Sequence, residues 1–134
     1  MNRSLTVLAS VQGFLAVALG AFGAHGVKKL LEGLPDAAQR LTWWETGSKY
    51  HLVHALAIGL AAVLAAHVKG RAPVIAGWLF TAGLALFSGS LYVMTLTGLK
   101  VLGAVTPIGG LLLLAAWALL GYGALGLSSG TKRL

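Results

Sequence analysis

The side chains able to do chemistry in this 134-residue chain are few: four His, three acidic residues and no Cys. His51 and His54 stand three apart, so on a helix they project from neighbouring positions of one face. Together with His25 and the carboxylate of Glu45 they form the type of set that holds a metal, and two imidazoles on facing helices are the type that ligates haem. Against this, the chain has no His-x-x-x-His pair and no second carboxylate to complete a site. Histidines near a membrane interface commonly bond backbone or water, so no metal and no cofactor is expected. Ser88-Gly89-Ser90 invites comparison with nucleophile motifs but lacks the nucleophile-elbow spacing. A serine hydrolase also needs a base and an orienting acid, and no Asp or Glu lies in the apolar stretches. No catalytic residue is expected, and a rhomboid-like pairing of His54 with Ser88 or Ser90 stays a distant alternative. The lack of Cys removes disulfides, thiolate metal sites and Cys nucleophiles. Pro107 has no amide hydrogen and disfavours the bond to the carbonyl of Gly103, with Gly109 and Gly110 following at once. A kink or broken first turn is expected there, and freed carbonyls at such a break can meet an ion or substrate.

Four apolar stretches must position these groups: Leu5 to Ala24, Tyr50 to His67, Pro73 to Thr97 and Val101 to Leu127. Each approaches or exceeds the about 20 apolar residues of a spanning helix. The expected fold is all-α, an integral membrane four-helix bundle forming a single transmembrane domain over residues 1–134. Turns at Lys69 to Pro73 and Gly98 to Lys100 are short, so consecutive helices are antiparallel neighbours and the order is up-down-up-down. The longest segment outside the spans, His25 to Lys49, is too short for a soluble catalytic domain. Within it, Leu34-Pro35-Asp36 reads as a helix start. Arg40, Leu41, Trp43, Trp44 and Lys49 read as an interfacial amphipathic segment between spans one and two, with the Trp pair as anchors. Arg3 and the first apolar run also have the look of a secretory signal, but small residues at Ala9, Gly13, Ala16, Gly20 and Ala24 share one helical face. That stripe suits a permanent, closely packed helix, so the first span is expected to be retained.

The net charge is +7. Basic residues scattered at span ends are what topology and anionic headgroups require, so no nucleic-acid partner is expected. Each side of the membrane receives five Lys and Arg, and the amino group tips the expectation towards termini inside.

In an up-down-up-down order, the end of span one, the start of span two, the end of span three and the start of span four share one side. That side collects His25, Glu45, Lys49, Tyr50, His51 and His54, and deeper in, Ser88, Ser90, Tyr92, Thr95, Thr97, Thr106 and the Pro107 break. The other half offers little beyond His67 and Trp78. Unpaired polar groups in hydrocarbon cost several kcal/mol, so these side chains are expected to face the bundle interior or a hydrated cavity and to make one half a polar vestibule. The candidate ligand-binding residues are His25, Glu45, Tyr50, His54, Ser88, Ser90, Tyr92, Thr106 and Pro107.

At these residues the chain resembles a known family. Gly20-Ala21-Phe22-Gly23-Ala24-His25, Trp44-Glu45-Thr46-Gly47 with Tyr50 and His54, Phe87-Ser88-Gly89-Ser90-Leu91-Tyr92 and Thr106-Pro107-Ile108-Gly109-Gly110 together resemble the YwdK/YgdD-like family (domain of unknown function 423). The resemblance covers nearly the whole chain and departs at Ala116, where the family tends to have Gly. It implies a small four-helix, multi-pass protein of the bacterial inner membrane, supports His25 and His54 more than His51, and brings no activity, substrate or cofactor. The leading expectation is a non-enzymatic bundle that binds a lipid or small amphiphile in its polar half, or an accessory subunit packing against itself or a larger membrane complex. The alternatives are a small oligomeric transporter or channel and, further off, a histidine-ligated metal or haem protein.

Overall fold

A computed structural model describes residues 2–127; Lys132 and Arg133, which entered the charge balance, lie outside the described residues. Four long helices carry the chain. The first, α1, runs over Arg3–Phe22 and continues through a π-helical turn at Gly23–Val27 into a last turn at Lys28–Leu30. The others are α2 (Ala37–Leu64), α3 (Ala72–Thr97) and α4 (Thr106–Ala124), the last preceded by a 3-10 segment at Lys100–Ala104. All four are long and apolar enough to cross a membrane. Among the described residues there is no strand.

The segment expected to lie in the headgroup layer is the first part of α2 itself. Ala37–Leu64 is one unbroken helix of 28 residues, beginning directly after Asp36. At about 1.5 Å per residue it reaches about 42 Å, against a hydrocarbon core of about 30 Å, so its first turns project into the interface. Arg40, Glu45 and Lys49 end the apolar run without ending the helix, because straight-chain charged residues are good helix formers. Trp43 and Trp44 therefore sit on turns of α2 and not on a separate element.

Helices pack in chain order, α1 on α2, α2 on α3 and α3 on α4, and among the described residues α1 and α4 share no packed interface. The bundle is thus built around a central α2–α3 pair, with the outer helices more open to lipid. In each central helix 44% of the apolar window is buried against protein, compared with 11% in α1 and 17% in α4. The core includes Leu5, Ile58, Ala61 and Ala76 and reaches Phe80, which packs beside His54. Close approach comes from missing side chains. A Cβ at Gly109 would meet the Phe87 amide nitrogen, and the Gly83 oxygen at 2.8 Å; one at Gly83 would meet the Gly109 oxygen at 3.0 Å. The α3–α4 crossing is therefore backbone against backbone. Gly98 ends α3 with φ of 72° and donates its N–H to Met94, and the guanidinium of Arg40 lies where a side chain at 98 would be.

Of the two outcomes expected at Pro107, the fourth span shows the broken first turn and not the kink. Pro107 occupies the opening turn of α4, where its missing N–H would have had no helical partner in any case, so it starts the helix and does not kink it.

Candidate functional site

The polar residues expected to share one end of the bundle do so, but they are paired with one another and with backbone more than they line a vestibule. Among the described residues every buried side-chain nitrogen and oxygen has a hydrogen-bond partner. His51, on α2, is 5% exposed. Its Nε2 lies 2.8 Å from Gln12 Oε1 of α1 and its Nδ1 3.0 Å from the Tyr92 hydroxyl of α3. An amide oxygen only accepts, so Nε2 donates to Gln12, and with the Tyr92 hydroxyl on Nδ1 the imidazole bridges three helices. Beside this chain is a small cavity of about 180 Å³ reached by Gln12, His51, Ser88 and Tyr92.

Around it, the indole of Trp44 donates to the Leu19 carbonyl of α1 at 2.8 Å and lies 4.6 Å from the Tyr92 ring. Trp44 can reach α1 because Gly23 has no side chain: a Cβ there would collide with the indole. Ser88 donates to the Gly47 carbonyl at 2.7 Å across the α2–α3 crossing. Ser90 donates to the Phe87 carbonyl at 2.9 Å, and with that proton committed the Thr106 hydroxyl donates to Ser90 at 2.6 Å, tying α4 to α3. Thr95 shares its hydroxyl hydrogen between the Arg40 and Leu91 carbonyls. Outside the spans, Arg40 Nε contacts Asp36 Oδ2 at 3.0 Å, and that hydrogen bond holds the Asp36 carboxyl below the usual carboxylate range.

His54 has a separate setting. Its Nδ1 donates to the Tyr50 carbonyl at 2.7 Å, and its Nε2 accepts from the Trp117 indole of α4 at 3.2 Å. Neither partner can exchange roles, since a carbonyl only accepts and an indole only donates. Both nitrogens are thereby committed, and neither faces Ser88 or Ser90. Those hydroxyls donate to carbonyls, so neither serine is paired with His54 as nucleophile with base.

His25 and Glu45 lie at the same end but apart from this network. Both are exposed, His25 on the outer side of the π turn and Glu45 on the outer side of α2. Among the described residues no three His, Asp or Glu side chains come together. The proximity expected of His25, His51 and His54 is not realised, because the extra residue of the π turn re-aims His25 outward while His51 and His54 point to different neighbours.

The third feature is a groove of about 600 Å³ between α2 and α4. Tyr50, Phe87 and Trp117 wall it, His54 forms part of its floor, and Pro107 and Gly110 open its upper end. Tyr50 lies 4.5 Å from Phe87, ring to ring, and Trp117 5.0 Å from Phe80. Three of the candidate residues, Tyr50, His54 and Pro107, thus meet in one place. Sequence reasoning passed over Gln12 and Trp117, which partner the two histidines. Gln12 is the one amide side chain in α1, and that alone could have drawn attention to it.

The sequence profile described as Protein of unknown function (DUF423) matches residues 19–110. The chain belongs to the DUF423 family. It is 46% identical over 116 residues to the UPF0382 membrane protein YwdK of Bacillus subtilis, covering 85% of this chain and 89% of YwdK. It is 41% identical over 128 residues to the UPF0382 inner membrane protein YgdD of Escherichia coli K12, covering 92% of this chain and 91% of YgdD. A UPF0382 membrane protein of Haemophilus influenzae is 41% identical over 123 residues, covering 91% of this chain and 93% of that one. No solved structure matches the chain. The DUF423 match spans the π turn, His51 with Tyr92, His54 with the Tyr50 carbonyl, and the Gly83–Gly109 crossing, while Gln12 and Trp117, which complete the two histidine networks, lie outside it. This DUF423 chain is an integral, multi-pass membrane protein of a family without an assigned activity.

Proposed function

We propose that this protein is a non-enzymatic component of the bacterial inner membrane that seats the acyl chain of a bilayer lipid in the groove between α2 and α4. The carrying observation is that the nitrogen-bearing side chains of the groove are bonded within the protein, and the Tyr50 hydroxyl is the remaining side-chain polar group in its lining. His54 and Trp117 bond inward, so the surface offered to the bilayer is aromatic and aliphatic. Leu111 and Leu114 at its rim are 67% and 66% exposed, so the groove opens sideways to where lipid tails lie. No charged side chain lines it, which disfavours an ion or a hydrophilic solute. A volume of about 600 Å³ suits a chain and not a whole lipid.

The test is retention of lipid by the purified protein, read by native mass spectrometry, together with quenching of Trp117 by brominated acyl chains. Leu114→Trp fills the groove from its exposed rim and is expected to abolish retention there while leaving the melting temperature unchanged. A wild-type protein whose Trp117 is quenched no more than the lipid-facing Trp78, or a Leu114→Trp variant with undiminished quenching of Trp117, would refute the reading.

A further inference from the structure

A second groove, of about 510 Å³, lies on the outer face of the α1–α2 hairpin, away from α4. Its floor is Ala16, Gly20 and Gly23, positions where side chains are small or absent, and Val17 and Leu52 flank it, 63% and 44% exposed. At its mouth stand Glu45 and Lys49, one turn apart on α2 and both exposed. Four residues of helix separate them by about 6 Å along the axis. A Glu followed by Lys at that spacing ordinarily pairs on an exposed helix. Here they do not: among the described residues the one ion pair is Arg40 with Asp36. The Trp44 indole at the inner end already donates to Leu19, so it serves as wall and not as a ligand donor. The groove therefore combines an apolar slot with a carboxylate and an ammonium at the headgroup end that are not bonded to each other.

We infer that this groove binds a zwitterionic aminophospholipid, with Lys49 on the phosphate and Glu45 on the primary ammonium. The charge order is what selects the ligand. A headgroup with phosphate and ammonium two carbons apart places an opposite charge against each side chain. A choline headgroup carries the same charges but has no N–H to donate to Glu45, and a glycerol headgroup leaves the carboxylate facing an anion with no cation between. The site goes beyond the α2–α4 groove and shares no lining residue with it.

The full chain is presented in nanodiscs or detergent with phosphatidylethanolamine, phosphatidylcholine and phosphatidylglycerol in equal amounts, and bound lipid is counted by native mass spectrometry. The expected result is a two- to fivefold preference for the ethanolamine lipid over the choline lipid, the lower part of what one hydrogen bond supports. Glu45→Gln is expected to erase that preference while total bound phospholipid is kept, and Lys49→Gln to lower both zwitterionic lipids together. Ala21→Trp, an exposed position on the slot, is expected to remove the selective lipid with unchanged melting. Leu114→Trp in the other groove leaves the headgroup ratio untouched. Equal binding of the ethanolamine and choline lipids, a preference for the glycerol lipid, or a ratio lost in Leu114→Trp and kept in Glu45→Gln would overturn the inference.

Discussion

Two adjacent glycines on α4 should respond to the same substitution with opposite signs. Gly109→Ala places a methyl group against the Phe87 amide nitrogen and 2.8 Å from the Gly83 oxygen, both backbone atoms that no rotamer change can move aside. Gly110→Ala places the same methyl 3.8 Å from the nearest atom, on the Phe87 ring, an ordinary contact. In a helix interior, Gly to Ala gains about 0.5 to 1 kcal/mol from reduced backbone freedom. Overpacking a close crossing costs about 1 to 3 kcal/mol. Because the obstruction at 109 is backbone, the upper part of that range applies, and the balance is a net loss of about 1 to 2 kcal/mol. At 110 the balance runs from neutral to a gain of about 1 kcal/mol. Reversible unfolding in mixed micelles, following helix content against SDS fraction, measures both. The midpoint should fall for Gly109→Ala and hold or rise for Gly110→Ala. Equal midpoints for the two variants would refute the backbone-contact account of the α3–α4 crossing, and so would a Gly109→Ala protein as stable as wild type.

The remaining predictions use the same measurement. Tyr92→Phe removes the hydroxyl bonded to His51 Nδ1 and should destabilise by about 0.6 and at most about 1.7 kcal/mol, the range for hydrogen bonds between membrane helices; an unchanged midpoint would show that His51 is satisfied some other way. Trp117→Phe keeps the aromatic wall but leaves His54 Nε2 without a donor, for an expected loss of about 1 to 3 kcal/mol, whereas Trp78→Phe, at an exposed position, should be silent. Gly20→Leu drives a side chain into the Ser48 hydroxyl, which lies 3.0 Å from where the Cβ would be, and should lower stability by about 1 to 3 kcal/mol. For Asp36 the folded pKa is depressed by Arg40. Its contribution is therefore present above the unfolded pKa of about 4 and is lost as pH falls through the folded value. Wild type should lose stability on acidification below about pH 4 by an amount missing from Asp36→Asn; identical acid profiles would remove the pair's role.

Four apolar spans and the gathering of Tyr50, His54, Ser88, Ser90, Tyr92 and Thr106 at one end were legible, because hydropathy and short turns fix which helix ends share a side. What faces what was not. A lipid-exposed face and a protein-facing one are equally apolar, so periodicity does not tell α1 and α4 from the central pair. The continuity of α2 was hidden because polarity marks the edge of the hydrocarbon and not the end of a helix. Trp117 reads in sequence as one more membrane aromatic, and only its position opposite His54 makes it a donor. Pro107 carried a true signal of a break, and its meaning as a start rather than a kink depended on the 3-10 segment before it.

The π turn at Gly23–Val27 is a phase shifter. One surplus residue rotates everything beyond it by about 100° relative to an uninterrupted α-helix. That rotation is what brings Val27 and Leu31, both nearly inaccessible, onto the Trp44 indole. Excising a single residue at Ala24 would restore regular winding at no loss of hydropathy, yet would swing those two side chains away from Trp44 and carry Lys28 and Lys29 around with them. A length change of one, in a stretch that composition treats as featureless, would thus unseat the loop from the bundle.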